Sequence, residues 1–110
     1  MTDQELFDKI KSHLLKQGRR SLNAEGKCAY RSADGAQCAV GCLIKDEHYD
    51  PSLEGQGVWS LEMKSILWQY GIVASQSLRL LNSLQELHDY NDPENWEAKL
   101  NEVAREFNLR

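Results

Sequence analysis

Apolar positions near the start of the chain recur at intervals of three and four residues, which predicts an amphipathic helix over residues 3–17. The apolar face of this helix consists of Leu6, Phe7, Ile10, Leu14 and Leu15. Thr2 and Glu5 have the spacing of a capping box, in which each side chain accepts a hydrogen bond from the backbone N–H of the other residue. Gly18 is suited to the left-handed conformation that ends many helices. We therefore expect the first helix to lie between these two signals.

Three further helices are predicted in the second half of the chain. Ser60 is a suitable cap for a helix that ends at Gly71, and Ser75 begins another. Asp92 as cap, with Pro93 in the first turn, begins the last helix. The apolar positions of the three helices are Leu61, Met63, Ile66, Leu67 and Tyr70, then Leu78, Leu80, Leu81, Leu84 and Leu87, and finally Trp96, Leu100, Val103 and Phe107. The broad leucine face of the middle one predicts that it is the most central helix.

An Asp-Gly pair between two short stretches that contain Tyr and Val predicts a β-hairpin near residues 27–40. A three-residue loop with Gly35 in the left-handed position places the apolar side chains on one face, whereas a two-residue loop splits them between two faces. The preferred pairing joins Ser32 to Ala36, Tyr30 to Cys38 and Cys28 to Val40. We expect the hairpin to be followed by a short helix that starts between Cys38 and Gly41.

The length of 110 residues is typical of one domain. We therefore expect a single domain over residues 1–110 of α+β class, mainly helical with about four helices and one β-hairpin. The chain has 13 Lys and Arg against 17 Asp and Glu, and a formal net charge of -4 at pH 7. Binding along the phosphates of duplex DNA needs clustered positive charge, so duplex DNA is not an expected partner.

Two further features concern the location of the protein. No apolar run approaches the ~20 residues that cross a bilayer, so no membrane association is expected. Three cysteines are an odd number, and a chain of this size forms a core without cross-links. We therefore expect reduced thiols, a cytoplasmic location and no cofactor.

The segment over residues 45–57 is acidic and rich in turn formers, and we interpret it as a long surface loop that contacts a protein partner. Aromatic residues are frequent anchors at such contacts. The spacing of carboxylates does not match that of a calcium loop. The predicted partner-binding residues are Asp46, Glu47, His48, Tyr49, Asp50 and Trp59.

Cysteine and histidine provide two alternative sites. Thiolates and an imidazole suit tetrahedral zinc, although the paired CxxC motifs of zinc modules are absent. The alternative metal ligands are Cys28, Cys38, Cys42 and His48. The alternative catalytic residues are Cys28 or Cys42 as nucleophile and His88 as base. The competing interpretation is packing, with the thiols as small apolar side chains and His88 bonded to backbone at the edge of the core.

Several segments resemble a group of small uncharacterised proteins of bacteria and bacteriophages. These segments are CAYRSADGAQCAVGCLIKDEHY, LEG, LLNSLQELHDYND and Trp96. More distantly, the positions Gly35, Cys38, Ala39, Gly41 and Leu43 are similar to those of another uncharacterised bacterial domain. The resemblance spans most of the chain and implies a shared fold and an origin in a mobile element, but it brings no assigned activity.

Taken with the absence of a complete catalytic motif, these patterns favour a non-enzymatic interaction or regulatory domain that binds another macromolecule. The resemblance extends this expectation to a phage-encoded modulator of a host protein. The alternative function is a Cys/His-based enzyme, or a ligand-binding or metal-binding protein, built on the cysteines with His48 or His88.

Overall fold

Four α-helices form the fold, as the hydrophobic pattern predicts. A computed structural model describes residues 1–110. The helices are α1 (Asp3–Gln17), α2 (Leu61–Gln69), α3 (Ser75–Tyr90) and α4 (Trp96–Glu106). Single 3₁₀ turns lie at Gly41–Leu43, Asp46–His48, Pro51–Leu53 and Pro93–Asn95. None of the helices combines the length and the apolar character needed to cross a membrane.

The helix boundaries follow the predicted capping signals in most places. The capping box of α1 is formed in both directions, and Gly18 ends this helix with a φ of 68°. The Ser60 hydroxyl accepts a hydrogen bond from the Met63 N–H at 3.1 Å at the start of α2. Asp92 makes no side-chain capping hydrogen bond, and its carboxylate pairs with Arg20 at 2.6 Å.

The predicted β-hairpin near residues 27–40 is wrong, and with it the α+β class, because the chain forms no strand and is all-helical. Only two isolated antiparallel bridges are present, Leu22–Cys28 and Arg31–Gln37. The turn around Gly35 does close, with Ser32 N–H donating to the Ala36 carbonyl at 3.0 Å. The Cys38 N–H also donates to the Tyr30 carbonyl at 3.3 Å, but Cys28 pairs back to Leu22 and not forward to Val40, so the pairing ends there and forms no strand.

The physical reason is that side chains occupy two of the backbone donors that the predicted ladder needs. The N–H of Tyr30 donates to Oε1 of Glu54 at 2.8 Å, and the N–H of Val40 donates to Oε1 of Gln85 at 3.0 Å. The N–H groups of Arg31 and Gln37, which such a ladder leaves pointing outward, donate to Glu54 and Gln17. Since each of these groups is satisfied by a side chain, strand pairing offers no further stabilisation.

One continuous core of 24 buried side chains draws on every α-helix and on the segment between α1 and α2. Helices α1, α3 and α4 pack against one another, and α2 joins the core through Met63 and Leu67. The buried face of α3 consists of Leu78, Leu80, Leu81, Leu84, Leu87 and His88. The opposite face of α3 is polar, and it forms one wall of the candidate site.

Candidate binding clefts around Tyr90

An open cleft of about 280 Å³ lies between the 54–57 turn and the polar face of α3. Three of its lining residues carry carboxylates, and none is lysine or arginine. The twelve lining residues are Cys28, Ala29, Tyr30, Glu54, Gly55, Gln56, Gly57, Asn82, Gln85, Glu86, Asp89 and Tyr90. The cleft is therefore polar and negatively charged.

A second cleft, of about 400 Å³, lies between α3 and α4. Its charged residues are three glutamates and one lysine, and Lys99 pairs with Glu102 at 3.4 Å. Glu86 and Tyr90 line both clefts and so form the wall between them. The side chain of Tyr90 is 79% exposed, an aromatic ring between two acidic clefts.

Glu54 fixes the wall of the first cleft opposite α3. Its Oε1 accepts from the Tyr30 N–H at 2.8 Å, and its Oε2 accepts from the Arg31 N–H at 3.2 Å. Oε2 also accepts from the Tyr49 hydroxyl at 2.6 Å. Burial, together with the neighbouring Glu54 carboxylate, raises the pKa of Tyr49 to about 12, so this hydroxyl stays a donor at neutral pH. The Tyr30 hydroxyl adds a hydrogen bond to the Gln56 carbonyl.

His88 lies behind the first cleft and is fully buried. The Ser21 backbone N–H points at its Nε2 at 3.0 Å, so Nε2 accepts and the ring proton is on Nδ1. Nδ1 in turn donates to Oδ1 of Asp89 at 2.8 Å. The ring also stacks on Trp96, with centroids 5.5 Å apart. Both nitrogens of His88 are therefore used in holding the fold together.

Cys28 is the cysteine that lines the first cleft, and the structure brings it close to His88. Its thiol donates weakly to the Asp89 carbonyl at 3.9 Å. Burial raises the pKa of this thiol to about 11, and the Asp89 charge acts in the same direction. A thiol with such a pKa is protonated at neutral pH. The other requirement of a Cys–His pair, a free imidazole lone pair, is not met, because Nε2 of His88 faces Ser21.

Cys28, His88 and Asp89 place one ligand atom each within 4.8 Å of one another. These are donors that zinc accepts. Metal bound at Nδ1 of His88 would leave the ring proton on Nε2, where it would point at the Ser21 N–H. Two donors facing each other in a buried site are unfavourable, so this group holds a metal only if Ser21 moves.

The four alternative zinc ligands are not gathered at one site. Cys38 is buried, and its Sγ accepts from the Gly41 N–H at 3.2 Å. Cys42 donates to the Ala39 carbonyl at 3.1 Å, and burial raises its pKa to about 11. His48 instead lies against Tyr70, with Nδ1 at 2.6 Å from the phenol oxygen. Cys38 therefore lies in the core and Cys42 packs against it, in agreement with the packing interpretation.

Most of the predicted partner-binding loop makes contacts within the protein. Asp46 pairs with Arg31 at 2.7 Å, and Asp50 accepts from the Ser52 N–H at 2.8 Å. The side chains of His48 and Tyr49 bond to Tyr70 and Glu54. Of the six predicted residues, Asp46, Glu47 and Asp50 are exposed and Trp59 is 48% exposed, and the side chains of Glu47 and Trp59 make no hydrogen bond or ion pair within the protein.

Sequence reasoning missed the α3 wall of the clefts, although a signal was present. Asn82, Gln85, Glu86 and Asp89 recur at three- and four-residue intervals on the side of α3 opposite its leucines. Such a polar face is typical of any surface helix, so the pattern alone does not mark a site. Comparison of the chain with protein-family models, curated proteins and solved structures gave no match. The resemblance to small bacterial and bacteriophage proteins stays a prediction.

Proposed function

We propose that the protein is a non-enzymatic domain that binds a basic segment of a protein partner at the two clefts around Tyr90. The observation that supports this proposal is the charge of the clefts. Each cleft has three carboxylates, and because Glu86 is common to both there are five in total, against one lysine. That lysine, Lys99, is already paired with Glu102. The clefts therefore have an excess of negative charge that a cationic segment would neutralise.

The side chains around Tyr90 are suited to binding a lysine or arginine side chain of the partner. The aliphatic stem of such a side chain can pack on an aromatic ring while its cationic head reaches a carboxylate. Glu86 lies on the wall that carries Tyr90, so one basic side chain can contact both residues. The net charge of -4 also favours encounter with a positively charged partner.

Two properties of the first cleft support binding over catalysis. The thiol that lines it has a raised pKa, and the only imidazole behind it has both nitrogens occupied. The second candidate function is metal or ligand binding through Cys28, His88 and Asp89, which is favoured by the proximity of their donor atoms. Zinc titration of the protein and of a Cys28→Ser variant tests it: loss of one-to-one binding in the variant would support this second function.

The resemblance to small bacterial and bacteriophage proteins supports a proposal for the wider role of the domain, and its thiols support one for its compartment. As part of the same proposal, the domain acts as a phage-encoded modulator of a host protein, with the basic segment on the host protein. The three cysteines are free thiols, which supports a reducing compartment such as the cytoplasm.

A six-arginine peptide with a fluorescent label tests the binding function by fluorescence anisotropy. The protein should bind the peptide, and the affinity should fall as salt is raised, because the attraction is electrostatic. Glu86→Lys should weaken binding about tenfold. The matched control is Glu97→Lys, an exposed position on α4 outside both clefts with the same charge change. Equal weakening by the two variants, or no binding, would overturn the proposal.

Tyr90→Ala separates the ring from general charge, because it leaves every carboxylate in place. Loss of the cation–π and stem contacts should weaken binding about threefold to tenfold at any salt concentration. A Tyr90→Phe variant keeps the ring and should bind like the unmodified protein. Full binding by Tyr90→Ala would remove the ring from the site.

A further inference from the structure

A third cavity, of about 320 Å³, lies away from the acidic clefts, where α1 meets the end of α2. Leu43 and Ile72, both buried members of the core, form its apolar floor. The seven lining residues are Met1, Lys9, Leu43, Lys45, Gln69, Tyr70 and Ile72. Its volume lies near the lower end of the range of small-molecule sites, which runs from about 300 to 1,000 Å³.

The charge of this cavity is opposite to that of the chain as a whole. Lys9 and Lys45 are its only charged side chains, and no carboxylate lines it. Neither lysine belongs to an ion pair, although the chain carries 17 acidic residues. Two unpaired ammonium groups beside an apolar floor form an environment that is complementary to a ligand with an acid group and an apolar body.

Tyr70 holds one side of the cavity in place. Its hydroxyl oxygen accepts from the Lys45 backbone N–H at 3.0 Å and lies 2.6 Å from Nδ1 of His48. The ammonium group of Lys45 lies 5.5 Å from the centroid of the Tyr70 ring, within reach of a cation–π contact. The backbone and the side chain of Lys45 are therefore both oriented by Tyr70, so less conformational entropy is lost when an anion binds there.

We propose that this cavity binds a small amphipathic anion, an aromatic or branched aliphatic carboxylate or sulfonate. Its apolar part lies over Leu43 and Ile72, and its acid group contacts the ammonium groups of Lys9 and Lys45. This site is independent of the proposed binding of a basic segment, because it shares no lining residue with the clefts around Tyr90. A ligand in it would connect α1, the 43–45 segment and the end of α2.

The probe for this site is 1-naphthoate, an aromatic carboxylate, and 1-naphthamide is its neutral counterpart. Titration followed by amide chemical shifts should show saturable changes that centre on residues 43–45 and 69–72. The amide should bind at least about fivefold more weakly, because it lacks the charge that the lysines recognise. Equal binding of the two compounds, or shifts elsewhere in the protein, would overturn the proposal, as would no saturation at about 1 mM.

Charge-reversal variants test whether Lys9 and Lys45 contact the acid group of the ligand. Lys9→Glu and Lys45→Glu should each raise the dissociation constant for 1-naphthoate at least about fivefold. Lys16→Glu and Lys64→Glu are matched controls, since both lysines are exposed and lie outside the cavity. All four variants replace solvent-exposed side chains, so they should fold normally, which circular dichroism checks. An equal effect of the four substitutions would show only general electrostatics and would overturn the proposed site.

Discussion

The backbone N–H of Ser21 donates to Nε2 of His88 at 3.0 Å, a contact between residues 67 positions apart in the chain. Ser21 and His88 are the two buried polar residues of the protein. The Ser21 hydroxyl also donates to the Ala36 carbonyl at 3.1 Å. This arrangement ties Ser21 to α3 and joins the two ends of the 21–36 segment to each other, and it does so without a sheet.

We expect His88→Ala to lower the free energy of unfolding by about 3 kcal/mol, because it leaves a cavity and an unsatisfied buried Ser21 N–H. His88→Gln keeps an acceptor that can reach this N–H, so its effect should be about half as large. Urea denaturation measures both variants. A free energy of unfolding of His88→Ala within about 0.5 kcal/mol of that of the unmodified protein would contradict the structural role of this ring.

Gly41 is required by a close approach of two backbone segments. A Cβ atom at this position would lie 2.9 Å from the carbonyl carbon of Tyr30 and closer still to its oxygen. Because backbone atoms cannot move aside as a flexible side chain can, Gly41→Ala should destabilise the protein by about 3 kcal/mol. Gly57→Ala is the matched control, since nothing lies within 4 Å of a Cβ there.

Thermal and urea unfolding of the two alanine variants provide the comparison. Gly57→Ala should change the free energy of unfolding by less than about 0.5 kcal/mol. Equal stability of the two variants would mean that the Gly41 turn and Tyr30 separate easily, contrary to the packing described above.

The helices were predictable from the sequence because their signals are local. The capping box at Thr2 and the glycine at position 18 act within one turn of α1, and the leucine stripe of α3 needs only a partner that is apolar. The hairpin failed for a non-local reason. Glu54 and Gln85, distant in sequence, occupy the backbone donors of Tyr30, Arg31 and Val40. No local pattern indicates such contacts.

The position of the candidate site also depends on non-local contacts, which the sequence does not indicate. Carboxylates in the acidic loop were recognisable, but whether each one faces solvent or a neighbour was not. Asp46 pairs with Arg31, whereas Glu54 of the same loop bonds to the backbone and lines the first cleft. The other two carboxylates of that cleft, Glu86 and Asp89, lie on α3 and meet the 54–57 turn only after the chain has folded.

Glu54 offers a direct test of this account. Glu54→Gln replaces one acceptor oxygen by an NH2 group that would face a backbone N–H or the Tyr49 hydroxyl. We expect a loss of about 2 kcal/mol in the free energy of unfolding. Glu47→Gln, the same change at an exposed position of the acidic loop, should have an effect below about 0.5 kcal/mol. Equal effects in urea denaturation would contradict the structural role of Glu54.

The thiol of Cys28 should react slowly with alkylating reagents in the folded protein. Only the thiolate attacks iodoacetamide, and the raised pKa of about 11 reduces the thiolate fraction about a hundredfold near pH 8 relative to a thiol with the ordinary value of 9.0. A thiolate of higher pKa is the stronger nucleophile, which recovers about a factor of ten. Alkylation of Cys28 in the folded protein should therefore be about tenfold slower than in urea.

The alkylation rate of Cys28 should depend on pH differently in the folded and the unfolded protein. The rate for folded Cys28 should keep rising up to about pH 11, whereas that of the unfolded chain levels off near pH 9. Mass spectrometry of peptides that contain Cys28 measures both rates, and a Cys42→Ser variant removes the other half-buried thiol as a source of ambiguity. Rapid alkylation of folded Cys28 at neutral pH would contradict the protonated thiol inferred above, and it would favour the Cys/His-based function over binding at the acidic clefts.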